Sequence, residues 1–143
     1  MAALSSDTLE SIIALIQQRL SPLAIYLYGS QAKGQAQLGS DLDIAVLGAT
    51  PYDPWDLFTL AQELVALQET VQNHPPTEVD LVDLAAASPL LRAIVVSQGQ
   101  RVFCSDRFRC DLFEIRALKE YANLQEERRP IIEDIRRRGR VYG

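Results

Sequence analysis

Apolar residues return along this chain in two rhythms, one of a helix and one of a strand. Leu9, Ile12, Ile13, Ile16 and Leu20 recur every three or four positions, which places them on one face of an amphipathic helix that ends at Ser21-Pro22. Asp7-x-x-Glu10 ahead of it has the form of a capping box. Short apolar runs at roughly 24–28 and 42–47 read as strands, and the second is apolar on both faces beyond Asp43, as a central strand should be. Gly48 to Tyr52 is a loop. Asp53-Pro54 then starts a second helix, with Leu57, Leu60, Ala61, Leu64 and Leu67 as its core stripe and Trp55 as a core or edge aromatic.

Asn73-His74-Pro75-Pro76 is a rigid turn, and its histidine has no specific catalytic partner in the sequence. Glu78 to Leu84 alternates as a third strand, with Asp80 and Asp83 on opposite faces. Ser88-Pro89 caps a short helix containing Leu90, Leu91, Ile94 and Val95, which stops at Gly99; Arg101-Val102-Phe103 is a short edge strand. From about Asp106 the period is helical again, with Leu112, Ile115, Leu118 and Ala122 sharing a face. Pro130 must kink or restart that helix before Ile131, Ile132 and Ile135.

This order predicts one α/β (α+β) domain: a mixed central sheet flanked by helices over about 5–105, then a C-terminal helical extension over about 106–143. At 48% hydrophobic residues the chain is not disordered. A net charge of -5 argues against a general nucleic-acid binder. The charge is uneven: residues 126–143 hold six arginines against four acids, the bland reading of which is favourable charge at a helix C-terminus. Cys104 and Cys110 lack metal-ligand company and read as reduced thiols of a cytoplasmic protein. No apolar run approaches the ~20 residues that span a membrane, and the N-terminus lacks a signal-peptide layout.

The chemistry is concentrated between Leu27 and Leu47. Gly29 after the first strand permits backbone geometry that a side chain forbids. Ser30 adds a hydroxyl and free N–H groups able to hold an anion. Asp41 and Asp43 open the next strand and share a face, with Cα atoms roughly 6.5–7 Å apart from the usual strand rise. Two carboxylates on one face beside an apolar run repel each other and resist burial, and a bound cation relieves both costs. Oxygen-only ligands suit magnesium with phosphate oxygens. An anion cradle and a carboxylate pair in one unit point to a nucleoside triphosphate site.

Gly29-Ser30-Gln31-Ala32-Lys33-Gly34, followed by Ser40-Asp41-Leu42-Asp43-Ile44-Ala45-Val46, resembles the signature of the polymerase-beta-like nucleotidyltransferases. Within them it is most similar to the minimal nucleotidyltransferase (MNT) antitoxins. The departure is Lys33, where that group usually has Arg; the charge survives but the bidentate fork does not. The resemblance implies a nucleotidyltransferase fold. It also implies two Mg²⁺ ions held by Asp41 and Asp43, with Asp80 as the third carboxylate. ATP is the implied substrate, its β- and γ-phosphates on Gly29 and Ser30 and with Lys33 assisting. Asp80 between Val79 and Leu81 has the apolar-Asp-apolar context of the third acid in that group.

The resemblance further implies the acceptor. Larger relatives carry an added domain for a small-molecule acceptor, whereas only about 40 residues follow the core here. MNT proteins of this kind are typically paired with HEPN-domain RNase toxins, and several transfer AMP to a toxin tyrosine. The expectation is therefore an antitoxin protein adenylyltransferase in a hetero-oligomer with its toxin, with no membrane and no direct nucleic-acid binding. Two alternatives stay open: a steric antitoxin that acts by contact alone, and a small-molecule nucleotidyltransferase of the aminoglycoside-modifying type.

Overall fold

A computed structural model describes residues 5–29, 41–71 and 76–137. The chain runs α1 (Ser6–Leu20), β1 (Ala24–Tyr28), β2 (Leu42–Leu47), α2 (Pro54–Val71), β3 (Val79–Asp83), a 3-10 turn (Leu84–Ala86), α3 (Pro89–Gln98), β4 (Gln100–Cys104) and α4 (Arg107–Arg137). The four strands form one mixed sheet in the order β3-β2-β1-β4. β1 pairs antiparallel with β2 and with β4, while β2 and β3 are parallel. β2 is therefore interior and β4 is an edge, as their patterns predict.

Both faces of the sheet are covered. Alternate residues Ile25, Leu27, Leu42, Ile44 and Val46 pack with Ile12 and Ile16 of α1 and with Leu57, Leu60 and Leu64 of α2. The intervening residues Ala24, Tyr26, Ala45 and Leu47 pack with Val95 of α3 and Cys110 of α4. Asp43 has the parity of Ala45 and so faces the α3/α4 side. Tyr26 is buried on that side and donates its hydroxyl to Glu114 at 2.7 Å. Arg101 of β4 donates to the same Glu114 at 2.8 Å and to Asp111 at 2.9 Å, so α4 is fastened to two strands.

Four local points are resolved by the structure. The N-cap of α1 is Ser5, whose hydroxyl accepts from the Thr8 N–H; Asp7 lies in the first turn. Ser5, Ser6 and Asp7 are all competent caps, and the packing of Thr8, which is fully buried, selects the first. Of the core and edge readings of Trp55 the edge one holds: it is 69% exposed and stacks on Phe58 at 5.5 Å. The apolar face Leu112-Ile115-Leu118-Ala122 is not the one that α4 buries. Cys110 and Ala117 are the buried residues, while Ile115 is 62% and Leu118 44% exposed. Position 130 lies inside one helical span, Arg107–Arg137, and the helix does not restart there. His74 and its turn, apart from Pro76, lie outside the described residues, as do residues 138–143 of the basic tail.

Candidate active site

The site grows from where β1 stops. Gly29 follows Tyr28 with φ +72°, the left-handed region that favours glycine. A Cβ at Gly29 would collide with the Asp43 carboxylate. Two independent constraints thus fall on one residue. The backbone must turn, and it must lie directly against a charged side chain of the neighbouring strand.

Register then assembles the rest. Tyr28 pairs with Asp43 across β1 and β2, and Asp43 pairs with Asp80 across β2 and β3. Residues level with one another in a sheet project from the same face. Tyr28, Asp43 and Asp80 therefore form a row across three strands on the α3/α4 side. Leu42, with no exposed surface, pins the strand between Asp41 and Asp43. Asp41 precedes the first residue of β2 and is exposed; Asp80 is exposed on an edge strand; Asp43 between them is half-buried.

The electrostatics follow this geometry. Burial raises the Asp43 pKa, and the Asp80 and Asp41 charges raise it further. Burial, together with the Asp43 and Asp80 charges, pushes the Tyr28 phenol up to about 12. Tyr28 is accordingly a protonated phenol at neutral pH. Among the described residues no cation pairs with Asp41, Asp43 or Asp80. Nor do any three acidic, histidine or cysteine side chains there come together as a group that could by itself hold a metal ion. The donor set is oxygen-only and its central member is disfavoured as an anion, which fits a hard divalent ion shared with phosphate oxygens.

Gly29, Asp41, Asp43 and Asp80 are thus brought to one end of the sheet, while Ser30 and Lys33 lie outside the described residues. Asp83 is separated from them. It is buried on the other face, where it accepts from the N–H groups of Tyr52 at 2.8 Å and Ala85 at 3.0 Å and caps the 3-10 turn. Two contributors escape sequence reasoning. Tyr28 reads as one more apolar strand residue, and only its place just before Gly29 signals a site position. Gln68, fully buried on α2, is bonded to the backbone of Thr77 and so sets the entry to β3. Nothing in its neighbourhood in the sequence marks it.

Residues 10–108 match the family model described as Polymerase beta, Nucleotidyltransferase. The chain is 37% identical over 125 residues to the protein adenylyltransferase MntA of Shewanella oneidensis, covering 87% of this chain and 84% of that one. It is also similar to the crystal structure of a toxin-antitoxin with AMP-PNP. The TM-score is 0.75 at 35% identity, over 88% of this chain and 96% of that chain. A third likeness is to the MNT antitoxin structure with the tri-AMPylated Shewanella oneidensis HEPN toxin. There the TM-score is 0.71 at 33% identity, over 90% and 95% of the two chains.

Proposed function

The chain belongs to the polymerase beta nucleotidyltransferase family, and on that premise we propose that it is an antitoxin which transfers AMP from ATP to a tyrosine of a HEPN-type toxin. The observation that carries the reading is the row Tyr28, Asp43 and Asp80 with the Gly29 backbone against its central carboxylate. The relatives supply the acceptor class: one is a protein adenylyltransferase, and another is bound to an AMPylated HEPN toxin. Two free thiols are in keeping with a cytoplasmic protein.

In this reading Gly29 and Ser30 hold the β- and γ-phosphates, with Lys33 as a further contact. Asp41, Asp43 and Asp80 would hold Mg²⁺, which would supply positive charge to the phosphoryl group. Asp80, open to solvent on its edge strand, accepts the phenolic proton of the incoming tyrosine. The tyrosine oxygen bonds to the α-phosphorus, the bond from that phosphorus to the α–β bridging oxygen breaks, and pyrophosphate leaves. Tyr28 stays protonated and offers a hydrogen-bond donor beside the carboxylates. Each transferred AMP adds bulk and negative charge to the toxin, which repels the RNA polyanion.

The test is to mix purified toxin, this protein, ATP and Mg²⁺ and to weigh the toxin. Mass gains in AMP units on a tyrosine peptide, lost with Asp41→Asn/Asp43→Asn, are the expected result. Neutralisation at unchanged toxin mass would favour an antitoxin that acts by contact alone.

A further inference from the structure

At the opposite end of the sheet from the carboxylates, a cleft of about 370 Å³ lies between α4 and the chain leaving β2. Its floor is apolar, from Leu23, Leu47 and Phe113, and its walls carry Arg92, Arg109 and Arg116. No acidic residue lines it, on a chain whose net charge is -5. Arg92 is held in place: it donates to the carbonyls of Leu84 at 2.9 Å and Ala85 at 2.7 Å, with Glu120 at 3.4 Å. Arg109 and Arg116 make no ion pair among the described residues, whereas Arg19, Arg92, Arg101 and Arg107 all do. One helix face carries Arg109, Leu112, Phe113 and Arg116 at spacings of three and four. Beside it stand the exposed Phe108 and Ile115.

We infer that this cleft is a docking site for an acidic, apolar-tipped segment of the partner protein, distinct from the reacting end of the sheet. The inference rests on the proposed antitoxin role, since the partner is the toxin of that reading. Charge complementarity selects the occupant. Unpaired guanidinium forks match carboxylates bidentately, and the apolar floor takes the side chain between them. A small free anion would leave most of the surface uncovered. The ridge from Phe108 to Leu118 continues for about 15 Å at the usual helical rise. A nucleic acid is disfavoured because the positive charge lining the cleft is confined to three arginines around an apolar floor and does not form an extended basic stripe. Leu47 stands four residues along β2 from Asp43, about 13 Å away at strand rise. A toxin held here leaves the carboxylates free to receive its tyrosine.

The experiment uses the full chain with Arg109→Glu/Arg116→Glu and its cognate HEPN toxin. An acid at position 109 lies in the first turn of α4, where the helix dipole favours it, so the helix is retained; circular dichroism checks this. Toxin Kd should rise at least tenfold at low salt, with the gap narrowing as salt is added. AMP transfer should slow at limiting toxin and recover at saturating toxin, with ATP affinity unchanged. Arg109→Gln/Arg116→Gln should fall between the two. A Kd within twofold of the unaltered chain overturns the inference, as does transfer that stays depressed at saturating toxin. Loss of binding to a 20-nucleotide RNA with toxin affinity intact also overturns it and assigns the cleft to nucleic acid. If the toxin is bound but never adenylylated, the proposed chemistry fails while the binding comparison still decides the dock.

Discussion

The side-chain amide of Gln68 closes both backbone hydrogen bonds of Thr77: its nitrogen donates to the Thr77 carbonyl and its oxygen accepts from the Thr77 N–H, each at 2.8 Å. Gln68 has no exposed surface and Thr77 has little. The pair fixes the chain three residues before Asp80. Gln68→Leu keeps the apolar packing but strands two buried backbone groups, at about 1–3 kcal/mol each. We expect a loss of about 2–6 kcal/mol on the same bookkeeping, read from urea unfolding. A change below about 0.5 kcal/mol, the usual scale of a surface substitution, would mean that water replaces the amide.

Asp43 sits between two other carboxylates without a cationic partner among the described residues. Asp43→Asn removes that repulsion, so the variant should be at least as stable as the parent in EDTA. Mg²⁺ should raise the melting temperature of the parent and leave that of the variant unmoved. Transfer should be lost in the variant. Equal magnesium shifts in both proteins would remove Asp43 from the metal site.

Gly29→Ala tests the close approach. Its φ of +72° costs an L-residue about 1–2 kcal/mol, and the new methyl must displace the Asp43 carboxylate. We expect a modest loss of stability and a fall in transfer of at least about tenfold, the equivalent of 1.4 kcal/mol. A variant with parental turnover would show that the carboxylate can move at no catalytic cost.

Asp80 and Asp83 separate chemistry from folding, three residues apart. Asp80→Ala should abolish transfer and leave the urea midpoint within error, because Asp80 is exposed and makes no side-chain hydrogen bond among the described residues. Asp83→Ala leaves the N–H groups of Tyr52 and Ala85 without their acceptor. It should cost about 2–4 kcal/mol, on the scale of buried unsatisfied groups, while the folded fraction still transfers AMP. A reversed pattern would exchange their roles.

Cys110 gives a pH dependence with a defined sign. Burial, with Cys104 beside it, pushes its thiol up to about 11. An unfolded thiol titrates near about 8.5. The folded state therefore binds the proton more tightly, so this contribution is full below about pH 8.5 and is lost as pH climbs toward 11. Cys110→Ala should flatten the alkaline fall in unfolding free energy. Native-state alkylation at pH 8 should label the half-buried Cys104 well before Cys110.

Much of this protein is local and so legible in order along the chain. The spacing of Ile12 and Ile16 places a helix face, and the alternation about Asp43 places a strand. Gly29 marks a turn, and Asp41-x-Asp43 puts two acids on one side because strand parity needs no partner to define it. The opposition of Asp80 and Asp83 follows from the same parity. What a given face meets is a different kind of information. Ile115 and Leu118 keep helical spacing whether they enter a core or remain outside, and Cys110 with Ala117 is buried because α3 and the sheet reach that side of α4. The cap at Ser5 was chosen among three competent neighbours by the burial of Thr8. The row Tyr28, Asp43 and Asp80 needed two strand registers, one antiparallel and one parallel, between segments far apart in the chain. Register is settled by which apolar set each strand buries against its neighbours, a property of the assembled sheet and not of any single segment.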